Sequence, residues 1–444
     1  MANGVPAAFQ RRGARALAAA AILAFISAAP SCAASGGGEP PTGAEAAAIL
    51  EEVSPQVEAI RGLRFRRPVP VTVIDDAKAR EHAIRRFRKF YTEAESEARQ
   101  RALRLLGLLP PAADVLGEYL EVLEEQAGGF YDPESGGFLL LGDMPRGVLP
   151  MLASHELGHA LEDQHFGLDA RLLAAGDDDE IFAVSAVHEG SATLVMTAWT
   201  TRAAADGKLR PADVRSLQES DAGRGEKLAA MPEVLRRDLI GSYLLGASFF
   251  LGGRPTVSAG PALPVADVNR AFRDGPRSSE QILHPEKYWG PGRRDEPLQV
   301  EIPGAARALG AGWHRDGGNV LGELVLGALV GARTPDANEA AGESSAAWTN
   351  AAAGGWGGDR WELWSKGDRR LAILGTVWDS ERDAEEFAAV LPSREGLAWR
   401  RSGDRVAVVA GEADGPLGPL AESLLRGVKA RAGRRGKAVD TPLP

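Results

Sequence analysis

The stretch Met151 to Phe166, MLASHELGHALEDQHF, constrains this chain more than any other. It contains His155-Glu156-Leu157-Gly158-His159, and on a helix positions four apart share a face, so both imidazoles can address one cation. Glu156 stands beside them, where a carboxylate can hold a water and take its proton once a metal has made that water acidic. Two ligands and a general base thus come from a single helical turn. With seven histidines in 444 residues, such a match arises by chance in about one chain in a hundred. The alternative is a pair of core histidines beside a solvated glutamate. Leu152, Leu157, Ala160 and Leu161 supply the apolar positions of a buried helix, and Gly158, which costs about 1 kcal/mol relative to alanine, leaves room beside the site.

A catalytic zinc needs a third protein ligand and one open position. Three residues compete: His165, His188 and Glu189. His165 lies six residues after His159, but the intervening turn position is Glu162, a helix former where a metzincin-type motif requires glycine, and no Met-turn follows. If the helix continues, His165 is rotated away. Glu189 lies in Ile181 to Met196, an apolar segment behind the acidic run Asp177 to Glu180, which suits a helix N-terminus. A carboxylate buried there is costly unless a cation pairs with it. The alternative partner is an arginine or solvent. His188 points about a quarter-turn away and is the weaker ligand.

HELGHALEDQHFGL followed by HEGSATL resembles the HExxHALxDQHFxL and EGDAT motifs of a largely uncharacterised bacterial group of predicted zinc metallopeptidases with a gluzincin-like arrangement. The resemblance extends through GGFYDP (Gly128 to Pro133), SSEQILHPEKY (Ser278 to Tyr288) and GWGGDRW (Gly355 to Trp361), and so covers most of the chain after its leader. It implies Zn2+ held by His155, His159 and Glu189. Ser191 stands where the group usually has Asp, which bears on a supporting role for that position and not on the ligand set. The resemblance implies no particular substrate.

A 44% hydrophobic, 25% charged chain of this length can bury a large core, and a net charge of −10 argues against general nucleic-acid binding. Arg11, Arg12 and Arg15 followed by the apolar run Leu17 to Ala29 predict an export signal, too short for an ordinary membrane span. Cys32 is the only cysteine, so no intramolecular disulfide can form. Ala29-Pro30-Ser31-Cys32 resembles a degenerate lipobox, which predicts a lipid-anchored envelope protein, periplasmic or attached to the outer membrane. Cleavage after Ala33 or Ala34, giving a secreted protein, is the rival.

The expected division is 1–32 signal peptide with lipobox, 33–45 flexible linker and 46–336 zincin-like metallopeptidase region. An Ala/Gly-rich loop at 337–358, a small α+β unit at 359–432 and a disordered basic tail at 433–444 follow. Within the metallopeptidase region the patterns predict a helix over Gly43 to Gly62, a strand over Pro70 to Asp75, one long charged helix from Ala77 to Leu106 and a helix from Asp114 to Gln126. Phe138 to Leu141 is the candidate edge strand for aligning an extended substrate, with a plain core strand as the alternative. Further helices are expected near Pro211 to Ala230, Val234 to Leu251 and Leu321 to Val330. In the last unit, strands are expected at Trp361 to Trp364, Leu371 to Trp378, Leu397 to Arg401 and Arg405 to Ala410, with helices at Glu381 to Leu391 and Pro419 to Ala432. Gly275 to Tyr288 reads as a polar loop whose His284 is the candidate oxyanion donor, with Tyr243 a second choice.

The sequence therefore predicts an α+β protein with a mainly helical zincin-like core: an exported zinc metallopeptidase acting on a peptide or protein, with Glu156 as general base. A non-proteolytic envelope protein that keeps zinc for binding or structure is the alternative, and metal-dependent hydrolysis of a non-peptide amide is a third.

Overall fold

The computed structural model describes residues 41–126, 128–142, 146–209, 226–292, 294–335 and 340–433. The leader with Cys32, most of the helix expected at Pro211 to Ala230 and nearly all of the basic tail lie outside the described residues. In chain order the elements are α1 (Gly43–Arg61), β1 (Val71–Ile74), α2 (Asp76–Phe90), α3 (Glu93–Leu106), α4 (Val115–Gln126), β2 (Gly129–Asp132) and β3 (Gly137–Leu141). Next come α5 (Leu149–Phe166), α6 (Leu168–Ala174), α7 (Asp178–Ala205), α8 (Glu226–Ala230), α9 (Glu233–Phe250), α10 (Val265–Arg273), α11 (Ser279–Leu283) and α12 (Pro285–Trp289). The remainder is β4 (Leu298–Glu301), α13 (Ala305–Leu309), β5 (His314–Asn319), α14 (Gly322–Leu329), β6 (Trp356–Lys366), β7 (Arg369–Trp378), α15 (Glu381–Val390), β8 (Leu397–Ser402), β9 (Arg405–Gly411), α16 (Leu417–Leu425) and β10 (Lys429–Ala432). The fold is α+β, as the patterns predict.

The helix expected from Ala77 to Leu106 is two. Thr92 begins α3 by accepting from the Glu95 N–H, while the Glu95 carboxylate takes the Thr92 N–H at 3.0 Å. This reciprocal cap satisfies donors that a new helix would leave bare, and so breaks a charge pattern that looks continuous. The HExxH helix α5 runs unbroken through Glu162 and stops at Gly167, whose left-handed φ of 69° suits glycine. Helix α7 is apolar enough to cross a membrane by composition, but 83% of its most apolar window is buried inside the fold, where it is the central core helix.

A three-stranded sheet of order β1-β3-β2 lies beside these helices, with β1 parallel and β2 antiparallel to β3. Phe138 to Leu141 is therefore the central strand, as the core-strand alternative has it and not the edge-strand one, and its N–H and C=O groups are spent on both neighbours. The strand that meets α5 is β2. Leu141 donates to the Gly128 carbonyl and Gly136 to the Asp132 carbonyl. By the alternation of an antiparallel ladder, this turns the Tyr131 N–H away from β3.

The C-terminal unit is an antiparallel sheet of order β5-β6-β7-β9-β8. It begins earlier than the expected loop boundary, because β5 joins it from His314–Asn319. The helix expected to run to Ala432 ends at Leu425, and Lys429–Ala432 instead pairs antiparallel with Leu298–Glu301. Gly275 to Tyr288 is not an open loop: α11 and α12 fold there, with Ser279, Glu280, Gln281, Ile282 and Tyr288 buried. One core joins the helical body to the sheet, running from Phe87 and Leu103 through Phe182 to Trp361 and Phe387.

Helices α7 and α9 cross at close approach. A Cβ on Gly190 would lie 2.1 Å from the Gly246 carbonyl carbon, and one on Gly246 would lie 2.0 Å from the Ala186 carbonyl oxygen. Only glycine at both positions allows this approach. Gly246→Ala should destabilise the protein by about 1–3 kcal/mol or more through overpacking, whereas Gly342→Ala, which meets nothing within 4 Å, should be nearly neutral. Thermal unfolding of the two variants side by side checks this, and equal midpoints would contradict the crossing.

Candidate metal centre

Helix α5 carries His155, Glu156 and His159, and α7 carries Glu189 thirty-four residues after His155. Gly158 of α5 faces Ala192 and Val195 of α7, and a Cβ there would meet them at an ordinary contact distance of 3.6–3.7 Å. That contact brings the three side chains together. His155 Nε2 lies 3.1 Å from His159 Nε2 and 3.2 Å from Glu189 Oε2, and His159 Nε2 lies 3.5 Å from the same oxygen. Three corners of a tetrahedron with zinc bonds of 2.0–2.1 Å are separated by about 3.3 Å. The triangle has the size that a four-coordinate ion of this kind requires.

Electrostatics point the same way. Burial alone pushes His155 down to about 3. Burial, then the neighbouring histidines, hold His159 well below its ordinary value. Burial thus disfavours the charged form of both imidazoles, and with it a countercharge for Glu189. Burial and the nearby Glu156 push the Glu189 carboxyl well up, opposed by a hydrogen bond with Tyr243. Two buried imidazoles and a buried carboxylate form a donor set that could hold a divalent cation, and a His2Glu composition is one that zinc accepts.

Glu156 is near enough to act electrostatically on Glu189 without being a corner of the triangle. Its Oε2 accepts the outward N–H of Tyr131 at 2.7 Å, while Oε1 is buried without a hydrogen-bond partner. Burial raises its pKa well above the usual carboxylate range, opposed by the Tyr131 N–H. Tyr131 is tied to α5 twice, because its hydroxyl donates to Asp163 at 2.9 Å. Sequence reasoning missed this role for Tyr131, and no side-chain pattern could have signalled it, since the group that holds Glu156 is a backbone N–H.

Tyr243 of α9 hydrogen-bonds Glu189 and stacks on His155 with ring centroids 6.0 Å apart. His284 is elsewhere: its Nε2 meets Glu323 at 3.0 Å, and Glu323 also accepts from Thr349 at 2.6 Å. Of the two candidate oxyanion donors, the structure brings Tyr243 to the cluster and sets His284 in a separate hydrogen-bonded group. His165 reaches the Arg64 carbonyl at 2.8 Å, and His188 stacks on Phe272 at 5.3 Å. Neither joins the triangle.

Behind the ligands, Arg61 Nε pairs with Glu162 Oε1 at 2.7 Å with both side chains fully buried, and Arg61 also holds Asn269 at 2.7 Å. Ser191 donates its hydroxyl to the same Glu162 oxygen, which gives that position its supporting role. A second acidic group, Glu280, Asp295 and Asp379, already surrounds a cation: Lys287 Nζ lies 2.6, 2.9 and 3.0 Å from the three. The SSEQILHPEKY stretch thereby fastens α11 and α12 to the end of β7.

Residues 311–417 match a family model described as a domain of unknown function (DUF8575). The match spans the five-stranded sheet and none of the three converging ligands. No curated protein and no solved structure matches the chain.

Glu189→Ala should abolish stoichiometric metal binding, whereas His165→Ala should leave it intact. Elemental analysis of the two purified variants beside wild type checks this, and retention of a full equivalent of zinc by the Glu189 variant would remove that residue from the ligand set.

Proposed function

We propose that this chain is an exported zinc-dependent peptide hydrolase, with His155, His159 and Glu189 holding the metal and Glu156 acting as general base. The observation that carries this reading is the triangle of His155, His159 and Glu189 with the buried Glu156 carboxylate next to it on α5. When bound, zinc supplies Lewis acidity, polarising a carbonyl and acidifying water at neutral pH. Glu156 receives the proton of the attacking water on its unpartnered Oε1, while the Tyr131 N–H keeps Oε2 fixed. The same carboxyl then returns the proton to the leaving amine nitrogen. Tyr243 is the donor for the developing oxyanion, by its position against Glu189 and His155. The leader, with Cys32 as its lipid anchor, puts this chemistry in the cell envelope.

One observation favours a second reading. His155, Glu156, His159 and Glu189 are all at most 1% exposed, so a peptide reaches them only after the site opens. A centre that stays closed is a structural zinc site, with Tyr243 rather than substrate against the ligands. The two readings separate on Glu156. A structural site makes no use of a carboxylate beside the ligands, and a hydrolase depends on it.

Glu156→Gln should keep a full equivalent of zinc and lose at least about 100-fold in peptide-library hydrolysis. Hydrolysis at the wild-type rate by that variant would refute the general-base role. A wild type that holds zinc, cleaves nothing and unfolds on chelation would establish the structural reading instead. Tyr243→Phe should lower kcat by about 100- to 1,000-fold with little change in KM; an unchanged kcat would exclude Tyr243 as the oxyanion donor.

A further inference from the structure

Helix α7 carries more toward the metal centre than Glu189. Glu189, Thr193, Met196 and Thr200 are spaced i, i+4, i+7 and i+11, so they form one stripe along the helix. The faces on either side are taken. Ala186 and Gly190 meet α9 at Gly246, and Ala192 and Val195 meet α5 at Gly158. Glu189 lies between those contacts, against His155 of α5 and Tyr243 of α9, so the stripe begins in the groove between the two helices. Along it the side chains pass from sealed to open: Glu189 has no exposure, Thr193 has 7%, and Met196 and Thr200 are partly exposed. At 1.5 Å per residue the stripe spans about 17 Å, the reach of about five residues of extended peptide.

The four threonines of α7 divide by face. Thr197 and Thr201, off the stripe, donate their hydroxyls to the carbonyls of Thr193 and Thr197, one turn back, each at 2.8 Å. This is a common way for a helix to absorb a threonine. Thr193 and Thr200, on the stripe, do otherwise: both hydroxyl oxygens are shielded from solvent and have no hydrogen-bond partner among the described residues. A shielded, unpaired hydroxyl is costly, and the carbonyls that would absorb these two stand one turn back in the same helix, at Glu189 and Met196. Hydroxyls held off their own backbone are free for another. An extended peptide brings N–H and C=O groups along its whole length, and a hydroxyl serves either.

We propose that this stripe is a substrate track. An extended peptide lies along α7 from Thr200 inward, its backbone hydrogen-bonded by the hydroxyls of Thr193 and Thr200 and packed on the flexible Met196 side chain, and its scissile carbonyl reaches the ligand triangle. The inference rests on the hydrolase reading and adds to it the side from which the peptide enters and the length it needs. Both threonines bind substrate and take no part in the chemistry, so their loss acts on KM and leaves kcat.

Peptides that the wild type cleaves, recovered from a random library and shortened stepwise from either end, test it. On one side of the scissile bond, kcat/KM should rise with length up to about five residues and then level off. With the long peptide, Thr193→Val and Thr200→Val should each raise KM about 3- to 10-fold with kcat within about two-fold. Thr193→Ser should stay near wild type, and Thr197→Val, off the stripe, should keep KM within about two-fold. With a peptide cut to about two residues on that side, the Thr200 effect should vanish and the Thr193 effect remain. Neither valine variant should lower the midpoint of thermal unfolding, because each removes a hydroxyl that the peptide-free protein leaves unpaired. Binding of the long peptide to Glu156→Gln, with and without Thr193→Val, repeats the comparison without turnover. Wild-type KM in both valine variants, or a Thr200→Val effect independent of peptide length, overturns the track and leaves the hydrolase reading standing. A wild type that cleaves no peptide removes both.

Discussion

A carboxylate with no solvent exposure sits within a 28-residue core helix and faces two imidazoles that burial keeps neutral. The rest of the structure depends on resolving that placement. Taking a carboxylate out of water costs several kcal/mol even after relaxation, and neutral histidines do not supply the missing charge. Protonating Glu189 lowers the cost but leaves three donor atoms crowded within 3.1–3.5 Å. A divalent ion, as proposed, would supply the missing charge and take all three atoms as ligands. The Gly190–Gly246 approach bears on the same point, because it seats α9 against α7 and so brings Tyr243 over the ligands.

The support around the cluster is built from pairs that hold α5 in place on more than one side. Arg61 and Glu162 tie it to α1, and Tyr131 ties it to the sheet through both Glu156 and Asp163. Serine at position 191 fits this arrangement electrostatically. Its hydroxyl donates to Glu162, whereas an aspartate there would set a second negative charge against a carboxylate that has one arginine to balance it. Serine at position 191 is thus compatible with the neighbours this chain provides, and it leaves the triangle of His155, His159 and Glu189 untouched.

What could be read from the sequence follows from where the determining forces act. The HExxH helix and the convergence of Glu189 were legible because helical periodicity fixes which side chains share a face, and because a glutamate in an apolar segment demands a partner. The break at Tyr91-Thr92 was legible in principle from the T-x-x-E capping pattern, but the charge alternation on either side masked it. The identity of the edge strand was not legible: it depends on Val71 finding Phe138 across 67 residues in a parallel pairing that leaves no local mark. Strands β5 and β10, HRDGGN and KARA, have no apolar alternation and are strands because their partners make them so. The separation of His284 from the metal centre likewise rests on a distant residue, Glu323, and the fixing of Glu156 on a backbone N–H.

The most direct measurement is anomalous diffraction at the zinc absorption edge from crystals of the zinc-loaded protein. The account predicts a single strong peak bonded at about 2.0–2.1 Å to His155 Nε2, His159 Nε2 and a Glu189 oxygen. No peak among these three side chains, or a zinc peak lodged at another cluster while they remain bare, would contradict it.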